Sequence, residues 1–306
     1  MAIKTVRVQI NSTWYDLTYN SSTNKYEKTI TAPNVTSYNL DGHYYPVIVE
    51  AENTAGTKIT VDDMSPSIGD SLRLRVEEKI KPTINITSPG SNAFVINSKQ
   101  PVVFQLRDEA SGSGINIATL TLQIDTGTIV KYNSDGMVCT TVTNGYDCVY
   151  TPTAALDDGS HTVKINIKDF DENSAVEAVR TYKIDTIPPT LNITAPSDNF
   201  ITNKDSIVVQ GNTNDTQSTT VVIRIKLNET DQGDIPVSNG NFSKSLTLSE
   251  GENTIIVTAT DSAGKISTVT IKGTLDTSVP TVNKVTLTPN PADTGETVII
   301  SVEVTG

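Results

Sequence analysis

The sequence predicts an all-β chain of tandem sandwiches, and three observations predict it. Runs of Thr, Val, Ile, Asn and Ser are broken by Gly, Pro, Asn and Asp at intervals of roughly 8–12 residues, the spacing of short antiparallel strands. Alternation within those runs is clean. Val163, Ile165 and Ile167 point to one face while Lys164, Asn166 and Lys168 point to the other, as a strand with one buried and one wet face requires. The third observation is a domain-sized repeat, and helical patterning is nearly absent.

The repeat starts at proline-marked joints. "KIKPTINITSPGSNAF" from Lys79, "IDTIPPTLNITAPSDNF" from Ile184 and "DTSVPTVNKVTLTPNP" from Asp276 each pass from a joint into a strand. Pro82 to Pro189 spans 107 residues and Pro189 to Pro280 spans 91, a period of whole domains and not of a solenoid. A second marker comes late in each unit, in "DGHYYPVIVEAENTAG", "DGSHTVKINIKDFDEN" and "EGENTIIVTATDSAG": an acidic-Gly turn, an alternating strand, then a polar turn. Proline cannot donate to a ladder, so Pro82, Pro188, Pro189 and Pro280 belong at joints or strand edges. These signals divide the chain into domains 1–80, 81–187 and 188–278 and an incomplete hairpin at 279–306. Three such sandwiches laid end to end give an elongated rod on the order of 100 Å.

Composition excludes several functions. A net charge of −12 argues against nucleic-acid binding, which needs clustered Lys and Arg. The chain has no apolar window of about 18 residues, so no membrane insertion is expected. "MAIKTVRVQINSTWYDL" alternates like a strand and lacks the basic-then-apolar order of a leader, which leads us to expect assembly in the cytoplasm.

Cys139 and Cys148 flank "TTVTNGYD", where Asn144-Gly145 is a strong two-residue hairpin signal. With that turn, Cys139 faces Tyr150 and Cys148 faces Thr141. The sulfurs are then diagonal, with Cβ atoms roughly 7 Å apart, and a bridge is disfavoured, as it also is in a reducing compartment.

Catalytic residues are not expected. His43 and His161 each follow an acidic-Gly turn, which suggests a shared structural role, and neither belongs to a nucleophile motif. Paired carboxylates such as Asp157-Asp158 arise by chance in acidic loops. No cofactor motif is present. Asp169, Asp171 and Asn173 put several oxygen ligands in one loop, a candidate calcium site, although the twelve-residue loop plan is missing and a solvated turn is the favoured reading. Asn-x-Ser/Thr triplets such as Asn85-Ile86-Thr87 carry no information in a chain this rich in Asn and Thr.

Docking is the other candidate role. Trp14, Tyr15, Tyr44 and Tyr45 gather in the first domain, where alternation buries one of each adjacent pair and leaves the other for a neighbouring subunit or a sugar. In the closing hairpin, strands around residues 284–288 and 297–304 flank "TPNPADTGE" and put Ile300, Val302 and Val304 on one face. Two strands cannot close a sandwich, so this apolar face, with Val285 and Leu287, is expected to be covered by the third domain or by another chain.

"DTIPPTLNITAP" and "TATDSAGKISTVT" resemble bacterial immunoglobulin-like (Ig-like) domains, tandem modules of surface adhesins and bacteriophage virion proteins. The resemblance covers residues 81–278 well and residues 1–80 more loosely. "VRVQINSTWYDLTYNSSTNKYEKTITAP" and "VTLTPNPADTGETVIISVEV" are similar to Ig-like structural proteins in tail modules of phages and prophages of Gram-positive bacteria. What that implies is a non-enzymatic virion protein at the tail or baseplate. Its partners would be other tail or baseplate subunits, further copies of itself in the particle, or host cell-surface glycan.

Overall fold

The computed structural model describes residues 2–218 and 220–306. They form two compact units, Met1–Ile184 and Asp185–Gly306.

The first unit opens with β1 (Ile3–Ile10), β2 (Thr13–Asp16), β3 (Thr18–Asn20) and β4 (Lys25–Glu27), then β5 (Tyr45–Asn53), β6 (Lys58–Val61) and β7 (Arg73–Leu74). The order in the main sheet is β2-β1-β5-β6, with β7 also on β5 and β3–β4 apart as a small hairpin. Val6, Val8 and Ile10 stand opposite Ala51, Val49 and Val47, the alternation read from the sequence. This region buries little: Ile10, Tyr45 and Leu72 are its buried apolar side chains among the described residues, and none is wholly shielded.

A complete sandwich follows in the same unit. Its strands are β8 (Thr83–Ser88), β9 (Phe94–Val95), β10 (Val102–Arg107), β11 (Ile115–Ile124), β12 (Val130–Lys131), β13 (Met137–Val142), β14 (Gly145–Tyr150), β15 (Gly159–Asp169) and β16 (Ala178–Ile184). One sheet runs β13-β14-β10-β8 and the other β12-β11-β15-β16-β9. Val102, Phe104 and Leu106 from the first sheet meet Leu122, Val163, Ile165 and Ile167 from the second, all buried in one cluster. Each such side chain contributes about 1.5–3 kcal/mol by leaving water.

The cysteines correct the expectation from sequence. The β13–β14 register pairs Val142 with Gly145, so Thr143-Asn144 make the turn and Cys139 lies directly opposite Cys148. The two are disulfide-bonded, with Cα atoms 4.1 Å apart. Counting from the turn places them at a non-hydrogen-bonded pair, where facing Cα atoms come closest.

The second unit repeats the sandwich with one strand fewer. β17 (Thr190–Ala195), β18 (Phe200–Thr202), β19 (Ser206–Asn214), β20 (Val222–Leu227), β21 (Thr230–Ile235), β22 (Asn241–Thr247), β23 (Gly251–Thr260) and β24 (Ile266–Leu275) form sheets β17-β19-β22 and β18-β24-β23-β20-β21. Val209, Ile223, Ile225, Phe242, Ile255 and Val257 fill its core. The closing hairpin is β25 (Thr281–Thr288) with β26 (Ile299–Thr305), pairing Val285 with Val302 and Leu287 with Ile300. No helix among the described residues is long and apolar enough to cross a membrane.

Candidate functional site

The loop singled out for calcium does not hold its three residues together as ligands. Asp171 turns toward the first domain: its Oδ2 accepts from Thr36 Oγ1 at 2.6 Å and from the Glu78 backbone N–H at 3.0 Å. Asn173 spends its amide as a donor, to Asp169 Oδ2 at 2.9 Å and Glu78 Oε1 at 3.0 Å. Asp169 alone joins a carboxylate cluster, and its companions are Glu78 and Asp108, from distant parts of the chain.

Three backbone features bring this triad together. Glu78 lies in the segment ahead of β8, Asp108 follows β10 directly, and Asp169 ends β15. Asp108 Oδ2 accepts the Gly114 N–H at 2.7 Å, closing the loop "DEASGSG" back on itself. A Cβ on Gly112 would lie 2.6 Å from that same oxygen, so a larger residue there would push the Asp108 and Glu109 carboxylates out of place. Asp169 Oδ1 accepts the Asn173 N–H at 2.8 Å, which holds the turn after β15.

The second unit contains the same constellation. Asp185 precedes β17, Asp215 follows β19 directly, and Asp261 follows β23 directly. In each triad one oxygen from every residue lies within 4.8 Å of the others. Asp185 Oδ2 accepts from Ser218 Oγ at 2.9 Å, and Asp261 Oδ1 accepts the Ala263 and Lys265 N–H groups at 2.9 and 2.8 Å. Asp215 Oδ1 takes the Gln217 N–H at 2.8 Å. No lysine or arginine among the described residues forms an ion pair with any of the six.

The electrostatics of the two triads agree. Burial, with Asp169 alongside, pushes the Glu78 carboxyl up to about 7. Burial, with Glu109 alongside, pushes Asp108 up to about 6. Asp185 is raised as well, again by burial first, although the Ser218 hydroxyl opposes it. Concentrated negative charge with few water contacts is the cause in each case.

Sequence reasoning missed Glu78, Asp108 and the whole second triad, yet the signal was present. Glu78 and Asp185 each stand five residues before the first strand of their sandwich, and the "KDFDEN" and "TDSAG" phrases carry Asp169 and Asp261 in register.

The histidines act in the framework. His161 Nε2 donates to the Asp157 carbonyl at 2.8 Å, and its Nδ1 lies 2.8 Å from Asp125 Oδ2. His43 Nδ1 meets the Tyr38 carbonyl, and the two rings stack at 4.4 Å.

The docking candidates divide. Trp14 is exposed beneath the Arg7 guanidinium, 4.3 Å from its ring, and Tyr15 is half-buried. Tyr44 is half-buried and donates to Asp63 Oδ2 at 2.7 Å. Tyr45 corrects its expectation: it is buried, with its hydroxyl on the Val35 carbonyl at 3.1 Å, and offers no outward surface. Val285, Leu287, Ile300, Val302 and Val304 are all exposed, and every residue of β25 and β26 is exposed on both faces.

Residues 82–165 match the family described as Bacterial Ig domain, and residues 189–277 match Glucodextranase, domain B. No curated protein sequence matches the chain. Among solved structures, fibronectin(III)-like modules of Clostridium thermocellum CbhA are 16% identical, with 63% of this chain and 94% of that one covered at a TM-score of 0.40. An I-band fragment of titin is 14% identical over 90% of this chain and 88% of its own, at 0.41. A tetra-tandem repeat from the extending region of a large adhesion protein is 15% identical over 99% and 80%, at 0.35. Its sheets, joints and family matches taken together show tandem Ig-like sandwiches.

Proposed function

We propose that the chain is a non-enzymatic structural component of a phage tail or phage-tail-like particle, an Ig-like scaffold for assembly or host-surface contact. The observation that carries this reading is the β25–β26 hairpin. Val282, Val285, Leu287, Ile300, Val302 and Val304 form an apolar face that the rest of the chain leaves exposed. An isolated hairpin is marginal in water, so such a face gains stability when another subunit covers it or adds a strand to its edge. The Cys139–Cys148 bond suits a protein that works outside the reducing cytoplasm, as a virion part does after lysis.

The test is immunogold labelling of particles released by the producing strain, with antibody raised against residues 1–278. Gold on tails or baseplates supports the reading. Particles without gold overturn it, and gold on the cell surface points instead to an adhesin stalk. A second reading, contact with host glycan, draws on the match of residues 189–277 to a glucodextranase domain and on the exposed Trp14. It requires retention on cell-wall glycan that Trp14→Ala weakens.

A further inference from the structure

We propose that the two carboxylate triads, Glu78–Asp108–Asp169 and Asp185–Asp215–Asp261, each bind one calcium ion, tying the segment ahead of a sandwich to two of its loops. This goes beyond the scaffold role and holds whatever particle or surface carries the chain.

Clustering alone would not support the inference, because acidic loops are common. The second observation is that buried oxygens in these clusters have no hydrogen-bond donor: Asp108 Oδ1, Asp185 Oδ1 and Asp261 Oδ2. These three residues are 8%, 0% and 7% exposed. In each, the other oxygen already holds a backbone N–H or a hydroxyl, so the donorless one is left for a ligand inside the cluster. A buried carboxylate oxygen without a donor is costly, and three carboxylates with no paired cation repel one another as well. A bound divalent cation removes both penalties.

The chemistry selects the ion. Every ligand is oxygen, with no His or Cys in either cluster, which favours a hard cation. Oxygens on opposite sides of a calcium ion lie about 4.6–5.2 Å apart, against about 4.2 Å for magnesium. The ligand oxygens of each triad lie within 4.8 Å of one another, inside the span that one calcium ion bridges. Glu109 Oε2, buried and also without a donor, lies beside Asp108 and offers the first site a fourth carboxylate.

Recurrence adds weight. Two sandwiches with different side chains elsewhere keep acids at the same three places: five residues before the first strand, just after the third strand, and at or just past the end of the strand before the last. The third joint shows what a departure looks like. Asp276 stands five residues before β25, but β25–β26 pair Thr281 with Thr305 as β8–β10 pair Thr83 with Arg107, so Gly306 occupies the place of Asp108. Asp276 instead accepts from the Ser278 N–H and hydroxyl. The expected stoichiometry is therefore two ions per chain, not three.

The contacts around the first triad show the consequence of binding. Glu78 sits where the first domain meets the sandwich: Asn39 Nδ2 donates to the Gly112 carbonyl at 2.7 Å, Tyr38 stacks on Phe170 at 4.5 Å, and Thr36 holds Asp171. An ion at Glu78 would stiffen this joint.

The experiment is calorimetric titration of CaCl₂ into the full chain stripped with EGTA, followed by thermal unfolding with and without about 1 mM calcium. Two ions per chain and a rise of at least ~3 °C in the unfolding of both units are expected. Asp108→Asn and Asp261→Asn keep an oxygen for the backbone N–H groups, and each should remove one ion and the shift of its own unit only. In EGTA each variant should unfold no earlier than the parent, since it sheds one of three repelling charges; a purely structural aspartate would show the opposite. Absence of calcium binding, or two ions retained in both variants, overturns the proposal. A single ion overturns it for the triad whose variant leaves that ion in place. Should a variant fail to fold, hydrogen exchange of the parent decides: calcium must slow exchange in residues 76–82 and 185–190, and no change there overturns the proposal.

Discussion

The two complete sandwiches share sheet order and triads but differ at one edge. The earlier one carries an extra strand, β13, beside β14, while the later one leaves β22 as the bare edge of a three-stranded sheet. β13 has little to hold it by packing: Met137 is buried, but Val138 is 65% exposed and the remainder is mostly outward. The disulfide supplies what packing does not. β22 instead keeps Phe242 and Leu246 inward and places Lys244 and serines along its length, a composition that discourages another chain from pairing there. The framework of core and triads thus tolerates either solution, and the edge is where each sandwich is tuned.

The largest test of this difference is reduction. The bridge closes a loop of about ten residues, which corresponds to roughly 2.7 kcal/mol of chain entropy. Reductant, or Cys139→Ser with Cys148→Ser, should lower the stability of Met1–Ile184 by about that amount and leave Asp185–Gly306 unmoved. Calorimetry of the two transitions measures it. Equal movement of both would show that the edge is not what sets the sandwiches apart.

A smaller test concerns the short strands that pair parallel with the last strand of each sandwich. Phe94 on β9 faces Lys183, and Phe200 on β18 faces Gly273. In the first case the Lys183 ammonium lies over the Phe94 ring, 5.1 Å from its centre. In the second the Phe200 ring lies against the backbone, and a Cβ on Gly273 would meet it at 2.1 Å. Gly273→Ala should therefore cost the later sandwich about 1–3 kcal/mol through forced repacking. Lys183→Ala should cost the earlier one under about 1 kcal/mol, the value of an exposed cation–π contact. Urea midpoints of the two variants make the comparison, and equal losses would mean that the two clasps are the same.

Glycine also explains what the sequence hid. Asn144-Gly145 reads as a hairpin turn, but Gly145 belongs to β14 opposite Arg107, and a Cβ there would sit 1.9 Å from the Leu106 carbonyl. The sheet requires this glycine, not the turn, and the register shifts enough to bring the cysteines together. Strand patterns such as 163–168 were legible because alternation is a local property. The triads were not, because Glu78, Asp108 and Asp169 converge only after three separate elements pack, although their offsets from the repeated joints were written in the chain. Tyr44 and Tyr45 could not be told apart in the sequence, because adjacency fixes that one of a pair is buried without fixing which; the structure buries Tyr45.

The finest difference lies in tyrosine. The later unit has none, whereas Tyr182 of β16 is wholly buried and its hydroxyl has no hydrogen-bond partner. Burial first, and then the negative charge of Asp125, pushes its pKa up to about 12. A raised folded-state value favours the protonated form, so this contribution is intact below the unfolded value near 10 and is lost as pH climbs through about 12. Met1–Ile184 should therefore weaken over that interval through a term that Asp185–Gly306 lacks. Tyr182→Phe removes an unpaired buried hydroxyl without opening a large cavity, so at neutral pH its stability should stay within about 1 kcal/mol of the parent. The variant should also flatten the alkaline loss of the first unit toward the profile of the second. An unchanged alkaline loss in the variant would place the responsible group elsewhere, with the buried Tyr150 on β14, also raised by burial, as the next to replace.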